Sequence, residues 1–331
     1  MLSLLLAAAT VHIDPAILSN DIKVLASDEF EGRGPGTAGE QRTVDYLIRR
    51  FKNAGAEPAG ENGGWTQAVE MQRATIAPDR KLTVSGTGAQ CNFDAAPDSI
   101  LWTRNDAPRV ELAGLKIVFA GHGITAPDRG WDDFAGADLA GKLVLVLTND
   151  PDWSRDDGPF GGKRMSYFAR LGTKGEEAGK RGAVAVLAIH DDASTEYDWP
   201  TARNLLSGPA NGLARSDASK ARFGGYLSNP AARRLLACAG LDLDVLRKAA
   251  EQPGFRARDL PGVSLSAAFD VDVKKTVTRN VVARLPGTTY PDEHFVYTAH
   301  WDHLGRGKPD KTGDDIYNGA LDNAGGTAGL L

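Results

Sequence analysis

The stretch between residues 116 and 189 constrains the fold most. Three short apolar runs, 116–120, 142–147 and 183–189, are separated by Gly-rich turns, and each has the length of a buried strand. Between the last two, 167–181 carries Phe168, Leu171 and Ala178 at helical spacing with charges on the other side. This predicted helix ends at Gly182, directly ahead of the third run, which makes a helix-to-strand crossover. A chain with that unit belongs among the α/β folds.

Upstream, Asp14-Pro15 supplies an N-cap and a first-turn residue, and Ile17, Leu18, Ile22 and Leu25 then fall on one helical stripe. The loop S-D-E-F-E-G-R-G-P-G follows. Thr37 to Glu40 fits a capping box, and Val44, Leu47, Ile48 and Phe51 line one face until Gly55. Two amphipathic helices thus flank a loop holding Glu31, Gly32 and Arg33, where Arg33 suits a salt bridge or a substrate contact. Short edge strands are expected at 65–69 and 81–84. Asn229-Pro230 opens a helix that Gly240 closes, and 241–251 forms a second. Strands are expected at 264–273 and 278–285, with Pro286-Gly287 to Asp292 turning the chain into a hairpin with 295–299.

The last of these segments, 295–299, reads as a buried strand that delivers His300, Trp301, Asp302 and His303 at its end, where open α/β sheets place their sites. Asp322 lies just ahead of a small, apolar segment and is expected at a helix start, its carboxylate facing unpaired backbone N–H groups. An imidazole and a carboxylate are ordinary zinc ligands. Asp302, two residues beyond His300, falls on the same face of an extended chain and suits the carboxylate that orients a ligating histidine. His303 is expected on the opposite face, in a structural or rim role. Asn318 and Asn323 suit local bonds that fix the loop around Asp322, Asp314 and Asp315 read as loop residues, and Trp301 fits either a pocket wall or packing. His122 and His190 have no ligand-type residue at close spacing and are read as structural.

The string A-H-W-D-H-L-G followed by D-D-I-Y-N-G-A-L-D-N-A-G-G-T closely resembles the first half-site of the family 28 metallopeptidases, the di-zinc aminopeptidases. The resemblance implies that His300 binds one zinc, that Asp322 bridges two Zn2+ ions, and that Asp302 joins the catalytic machinery by supporting His300. It also implies a cis peptide bond between Asp322 and Asn323. The opening helix, G-R-x-x-G-T-x-G and second helix are similar to the family's N-terminal part. The strings G-H-G-I-T-A-P, W-D-D-F, L-A-G-K-L-V-L-V and K-G-E-E-A-G-K-R-G-A-V-A-V-L resemble the protease-associated domain inserted in many members. The implied fold is an α/β, mixed-sheet zinc-peptidase domain of the phosphorylase/hydrolase-like kind with an inserted β/α protease-associated domain.

The family's remaining parts, a Glu-Glu pair, a further acidic ligand and a late histidine, belong downstream of Asp322. The chain ends nine residues after it, at Leu331. The expectation is therefore an incomplete, C-terminally truncated peptidase domain, inactive by itself, whose strands lack neighbours on one side. Its expected divisions are 1–13, a clipped signal segment; 14–107, the N-terminal part of the peptidase domain; 108–260, the insert with connector helices; and 261–331, the start of the catalytic sheet. The expected substrate is a peptide cleaved near its N-terminus. Two rivals share the architecture: a receptor-like binding protein without metals, against which His300, Asp302 and Asp322 argue, and a carboxypeptidase or glutaminyl cyclase-like enzyme.

Composition sets outer bounds. With 331 residues, 42% hydrophobic and 24% charged, the chain has room for two domains of ordinary globular character. A net charge of −5 spread along the chain gives no basic footprint for nucleic acid and no polybasic segment for membranes. The oligomeric state is left open. Cys91 and Cys238 fit one long-range disulfide or two separate thiols equally well. The opening M-L-S-L-L-L-A-A-A-T-V resembles the end of a secretory signal, so export to the periplasm or outside is expected.

Overall fold

Leu143–Leu147 reads L-V-L-V-L and Ala185–Ile189 reads A-V-L-A-I, and every one of these residues is buried. A strand buries both faces only inside a sheet covered on both sides. The two pair in parallel, with Leu143 opposite Ala185 and Leu147 opposite Ile189. Phe223–Leu227 continues the parallel order on one side, and the end of Arg109–Phe119 does so on the other. Successive side chains point to opposite faces. Leu143, Leu145, Leu147, Leu187 and Ile189 therefore share a core with Leu235, Leu236, Leu243 and Leu246 from the helices Asn229–Cys238 and Leu243–Ala250. Val144, Val146, Val186 and Ala188 enter a second core with Ala178 of the helix Leu171–Lys180. Each such leucine or valine contributes about 1.5–3 kcal/mol of burial.

This computed structural model describes residues 13–214 and 221–331. The opening segment read as a signal lies, except for Ile13, outside the described residues. The chain divides into two compact units, Met1–Glu70 with Thr276–Leu331, and Met71–Lys275. The sheet just described belongs to the second. Antiparallel strands extend it: Ser99–Trp102 beside Phe223–Leu227, Arg258–Val281 beside Arg109–Phe119, and Lys81–Gly86 beside Arg258–Val281. The fold is thus α/β with a mixed sheet. Cys91 and Cys238, both in this unit, form a disulfide.

Several local expectations change. The strand expected at 65–69 runs as Thr66–Ile76; the one expected at 264–273 and the first part of the one expected at 278–285 are a single strand, Arg258–Val281, with two register shifts, and Ala283–Arg284 is a separate short strand paired with Glu57–Pro58. Lys274 and Lys275 interrupt the apolar alternation, but on an exposed stretch they do not interrupt the backbone. The helix expected over 167–181 is a 3-10 turn, Tyr167–Ala169, then an extended Arg170, then Leu171–Lys180. His122 and His190 each make local contacts. The first is buried with Nδ1 against the Asn149 carbonyl at 3.1 Å, and the second contacts Asp192 and Thr195.

The first unit carries the helices Pro15–Leu25 and Ala38–Asn53 around a core of Leu25, Phe30, Tyr46, Leu47, Trp301 and Ala324. Asp14 caps the first helix by accepting from the Ala16 N–H at 2.8 Å. The capping box at the second helix does not form. Buried Glu40 instead accepts from the Gly36 N–H at 2.6 Å and the Thr278 hydroxyl at 2.9 Å, and Thr37 donates to the Gly34 carbonyl.

The largest correction concerns 295–299, where no ladder and no hairpin form. Phe295, Val296 and Tyr297 are 90%, 81% and 80% exposed. Apolar, β-branched residues favour a strand, but the backbone N–H and C=O groups of a strand need a neighbour, and no described segment pairs with this one. No helix among the described residues is long and apolar enough to cross a membrane.

Candidate functional site

Arg33 organises the first unit around the terminal segment. Glu31, Gly32 and Arg33 all have positive φ, a tight reversal between the two helices. Gly32 is obligatory there: a Cβ would stand 2.5 Å from the carbonyl oxygens of both Gly305 and Tyr317. The reversal turns the Arg33 side chain inward, where it is 0% exposed. Its Nε donates to the Trp301 carbonyl at 2.8 Å, Nη1 to the carbonyls of Leu25 and, at 2.7 Å, Asn318, and Nη2 to the Gly319 carbonyl at 2.8 Å. The Arg33 carbonyl in turn accepts from the His303 N–H at 3.3 Å. One planar guanidinium thereby joins the end of the first helix to 301 and to 318–319. Burial lowers its pKa, opposed by the carboxylates of Asp302 and Asp322. Arg33 makes no salt bridge among the described residues; its guanidinium is engaged by backbone carbonyls.

Trp301 is buried in the unit's core and donates Nε1–H to the Arg279 carbonyl at 3.0 Å, so it packs. With Trp301 anchored inward, His300 and Asp302 stay accessible, their side chains 55% and 45% exposed. The Thr327 hydroxyl, donating to the His300 carbonyl at 2.9 Å, ties this segment to the final helix Gly325–Ala328.

Asp322 is not the cap of that helix. The segment Ala320–Ala324 makes a wide turn in which Asp322 and Asn323 are non-helical, and the bond between them is cis. The Asn323 side chain accepts from the Gly326 N–H, in the first turn of that helix, at 3.0 Å. The Asp322 carboxylate, 70% exposed, is left free to face the histidines. Asn318 fixes the approach by donating to the Ala26 carbonyl and the Asp28 carboxylate. Gly319 has positive φ, and a Cβ there would stand 2.5 Å from the His303 ring. Asp314 and Asp315 serve the loop, the latter paired with Arg306 at 2.8 Å.

His300 and Asp322 meet. His300 Nε2 stands 3.2 Å from Asp322 Oδ1, while His300 Nδ1 stands 3.1 Å from the Asp302 carbonyl oxygen and 3.5 Å from its carboxylate. The nearer acceptor is thus the backbone of Asp302 rather than its side chain. With Nδ1–H given to Asp302, Nε2 presents a lone pair toward a carboxylate, an arrangement that a shared cation relieves. Two donors about 2.0–2.1 Å from one tetrahedral zinc lie about 3.3–3.4 Å apart, close to the separation seen here. The pair therefore fits a zinc-like ion in kind and in spacing. Among the described residues, no group of three or more His, Cys, Asp or Glu side chains is placed to hold a metal.

His303 departs from expectation. It turns to the same carboxylate, with Nδ1 3.7 Å from Asp322 Oδ2, and its side chain is only 16% exposed. Burial lowers its pKa, Arg33 adds to that, and Asp322 opposes it. The alternation that put it on the far face assumed a strand through 300–303, and this stretch forms none. The partners of Arg33 were not legible either. The Glu31-Gly32-Arg33 string marks a tight turn, but nothing local says which carbonyls the arginine will find.

Residues 280–331 match the profile of Peptidase family M28. No curated protein matches the chain. Among solved structures it is similar to an aminopeptidase from Aneurinibacillus sp. strain AM-1, at 20% identity and a TM-score of 0.44. It is also similar to BSAP, a zinc aminopeptidase from Bacillus subtilis, at 15% identity and a TM-score of 0.35. Each likeness covers 95% of this chain, which spans 57% and 55% of the two structures.

Proposed function

We propose that the chain carries part of the site of a zinc-dependent peptidase, an aminopeptidase, with His300 and Asp322 as metal ligands. The observation that carries this reading is the 3.2 Å approach of His300 Nε2 to Asp322 Oδ1 inside the segment matched to the peptidase family. In this reading Asp302 holds the His300 ring by accepting from Nδ1, which leaves Nε2 to bind. Asp322 has its second oxygen on the side of His303, which suits a carboxylate bridging two ions. When bound, a pair of zinc ions supplies Lewis acidity toward a scissile peptide carbonyl.

The substrate class, a peptide attacked near its N-terminus, follows from the family resemblance. Hydrolysis needs further donors and a base besides these two residues, so what they are proposed to do here is bind the cation. Residues 108–260 are read as a protease-associated insert, a reading supported by the β/α character of that stretch. The Cys91–Cys238 disulfide supports an exported protein, because such bonds persist in oxidising compartments.

The test is calorimetric titration of the chain with Zn2+, with Co2+ absorption as a second readout. His300→Ala and Asp322→Asn are each expected to weaken binding roughly tenfold or more. His294→Ala, which removes an exposed histidine, is expected to leave it unchanged. Equal affinity in wild type and His300→Ala would remove the basis of the assignment.

A further inference from the structure

A second feature, independent of the His300 and Asp322 pair, lies wholly within Met71–Lys275. It sits at the carboxyl ends of parallel strands, where open α/β sheets commonly hold ligands. A cavity of about 250 Å³ opens there beside Leu147, at the end of Leu143–Leu147, and the helix Leu171–Lys180. Its apolar wall includes Leu147, Met165, Leu171 and Ala188. Lys174 and Arg170 also line it, and no aspartate or glutamate does.

The two cations differ in a useful way. Lys174 is 1% exposed, and its Nζ donates to the Leu147 carbonyl at 2.7 Å and to the Asn149 carbonyl. An ammonium has three N–H donors, so one has no partner among the described residues. Burial pulls the Lys174 pKa down to about 7 against the attraction of Asp133 and Asp150, so an anion nearby favours its charged form. Arg170 is exposed and makes no side-chain hydrogen bond or ion pair among the described residues. The hydroxyls of Thr148 and Ser194 bond each other at 2.6 Å and are already engaged.

We propose that this cavity binds a small organic carboxylate, its anionic end taken by Lys174 and Arg170 and its short apolar chain or ring set against Leu147, Met165, Leu171 and Ala188. A planar guanidinium matches the two oxygens of a carboxylate. The apolar wall selects an acid with a hydrocarbon body over inorganic phosphate, which also has more oxygens than these donors satisfy.

Met165 provides the probe, since the chain has only 3 methionines and Met71 serves as an internal control. The full chain, labelled at its methionine methyl groups, is titrated with 3-phenylpropanoate, 3-phenylpropanamide and inorganic phosphate. The acid is expected to shift the Met165 methyl resonance saturably at one equivalent, while the amide and phosphate leave it in place. Arg170→Ala, a change at an exposed side chain with no internal bonds, is expected to weaken the acid roughly tenfold. The proposal is overturned if the acid leaves Met165 unmoved, if the amide or phosphate binds as well as the acid, or if Arg170→Ala keeps wild-type affinity.

Discussion

Lysine at position 33 would keep the charge of the arginine and much of its length but change how its donors are spread. Arg33 serves four carbonyls, those of Leu25, Trp301, Asn318 and Gly319, from three nitrogens held in one plane. Lysine has a single nitrogen with three donors and cannot reach carbonyls on opposite sides of the fork. The Nε bond to Trp301 and one of the others are the expected losses. A buried carbonyl stripped of its donor costs about 1–3 kcal/mol, so with two lost Arg33→Lys should destabilise the local structure by roughly 2–6 kcal/mol. At about 1.4 kcal/mol per factor of ten, this corresponds to roughly 30-fold to 20,000-fold faster amide exchange wherever local opening governs it. Hydrogen exchange followed by mass spectrometry should show the change in peptides covering 300–304 and 318–324. Peptides covering Leu143–Leu147 should keep their protection, since that strand belongs to the other unit. Exchange within threefold of wild type at 300–304 and 318–324 would refute the view that Arg33 is what holds these segments together.

Two further outcomes can be measured on the same chain. His122 is buried and its pKa is held down to about 3 from the ordinary 6.5, mainly by burial. Between those values the unfolded chain binds a proton that the folded chain refuses, so stability falls as pH falls from about 6.5 toward 3, by up to about 1.4 kcal/mol per pH unit. In urea unfolding, the wild type should lose about 2–3 kcal/mol more than His122→Leu between pH 7 and 4.5; equal losses would mean that His122 does not carry the acid sensitivity. The Cys91–Cys238 bond spans a sequence separation of 147, and closing so long a loop is worth about 5 kcal/mol in the chain-entropy account. Cys91→Ser with Cys238→Ser should therefore lower the unfolding midpoint markedly, and an unchanged midpoint would show that the bond constrains little.

Much of the architecture was legible because its causes are local. Short apolar runs that begin just after a glycine turn are of strand rather than helix length, and 142–147 and 183–189 are such strands within a residue or two. Asp14-Pro15 capped a helix for the same reason: donor, acceptor and fixed φ all lie within three residues. That His300 and Asp322 should come together was implied by the resemblance of the string that carries them, and the two side chains do meet. Where a neighbour distant in sequence decides, the reading failed. Glu40 found a partner 238 residues away, the Thr278 hydroxyl, instead of capping its own helix start.

The sequence by itself determined the periodicities, the caps made of adjacent residues and the donor types at 300 and 322, since each depends on chemistry within a few residues. Only the tertiary structure decided that Arg33 would bind four carbonyls drawn from 25, 301, 318 and 319, that 295–299 would lie exposed without a ladder, and that His303 would turn to Asp322. A hydrogen bond is completed by whichever group arrives opposite, and which group that is depends on the path of the whole chain.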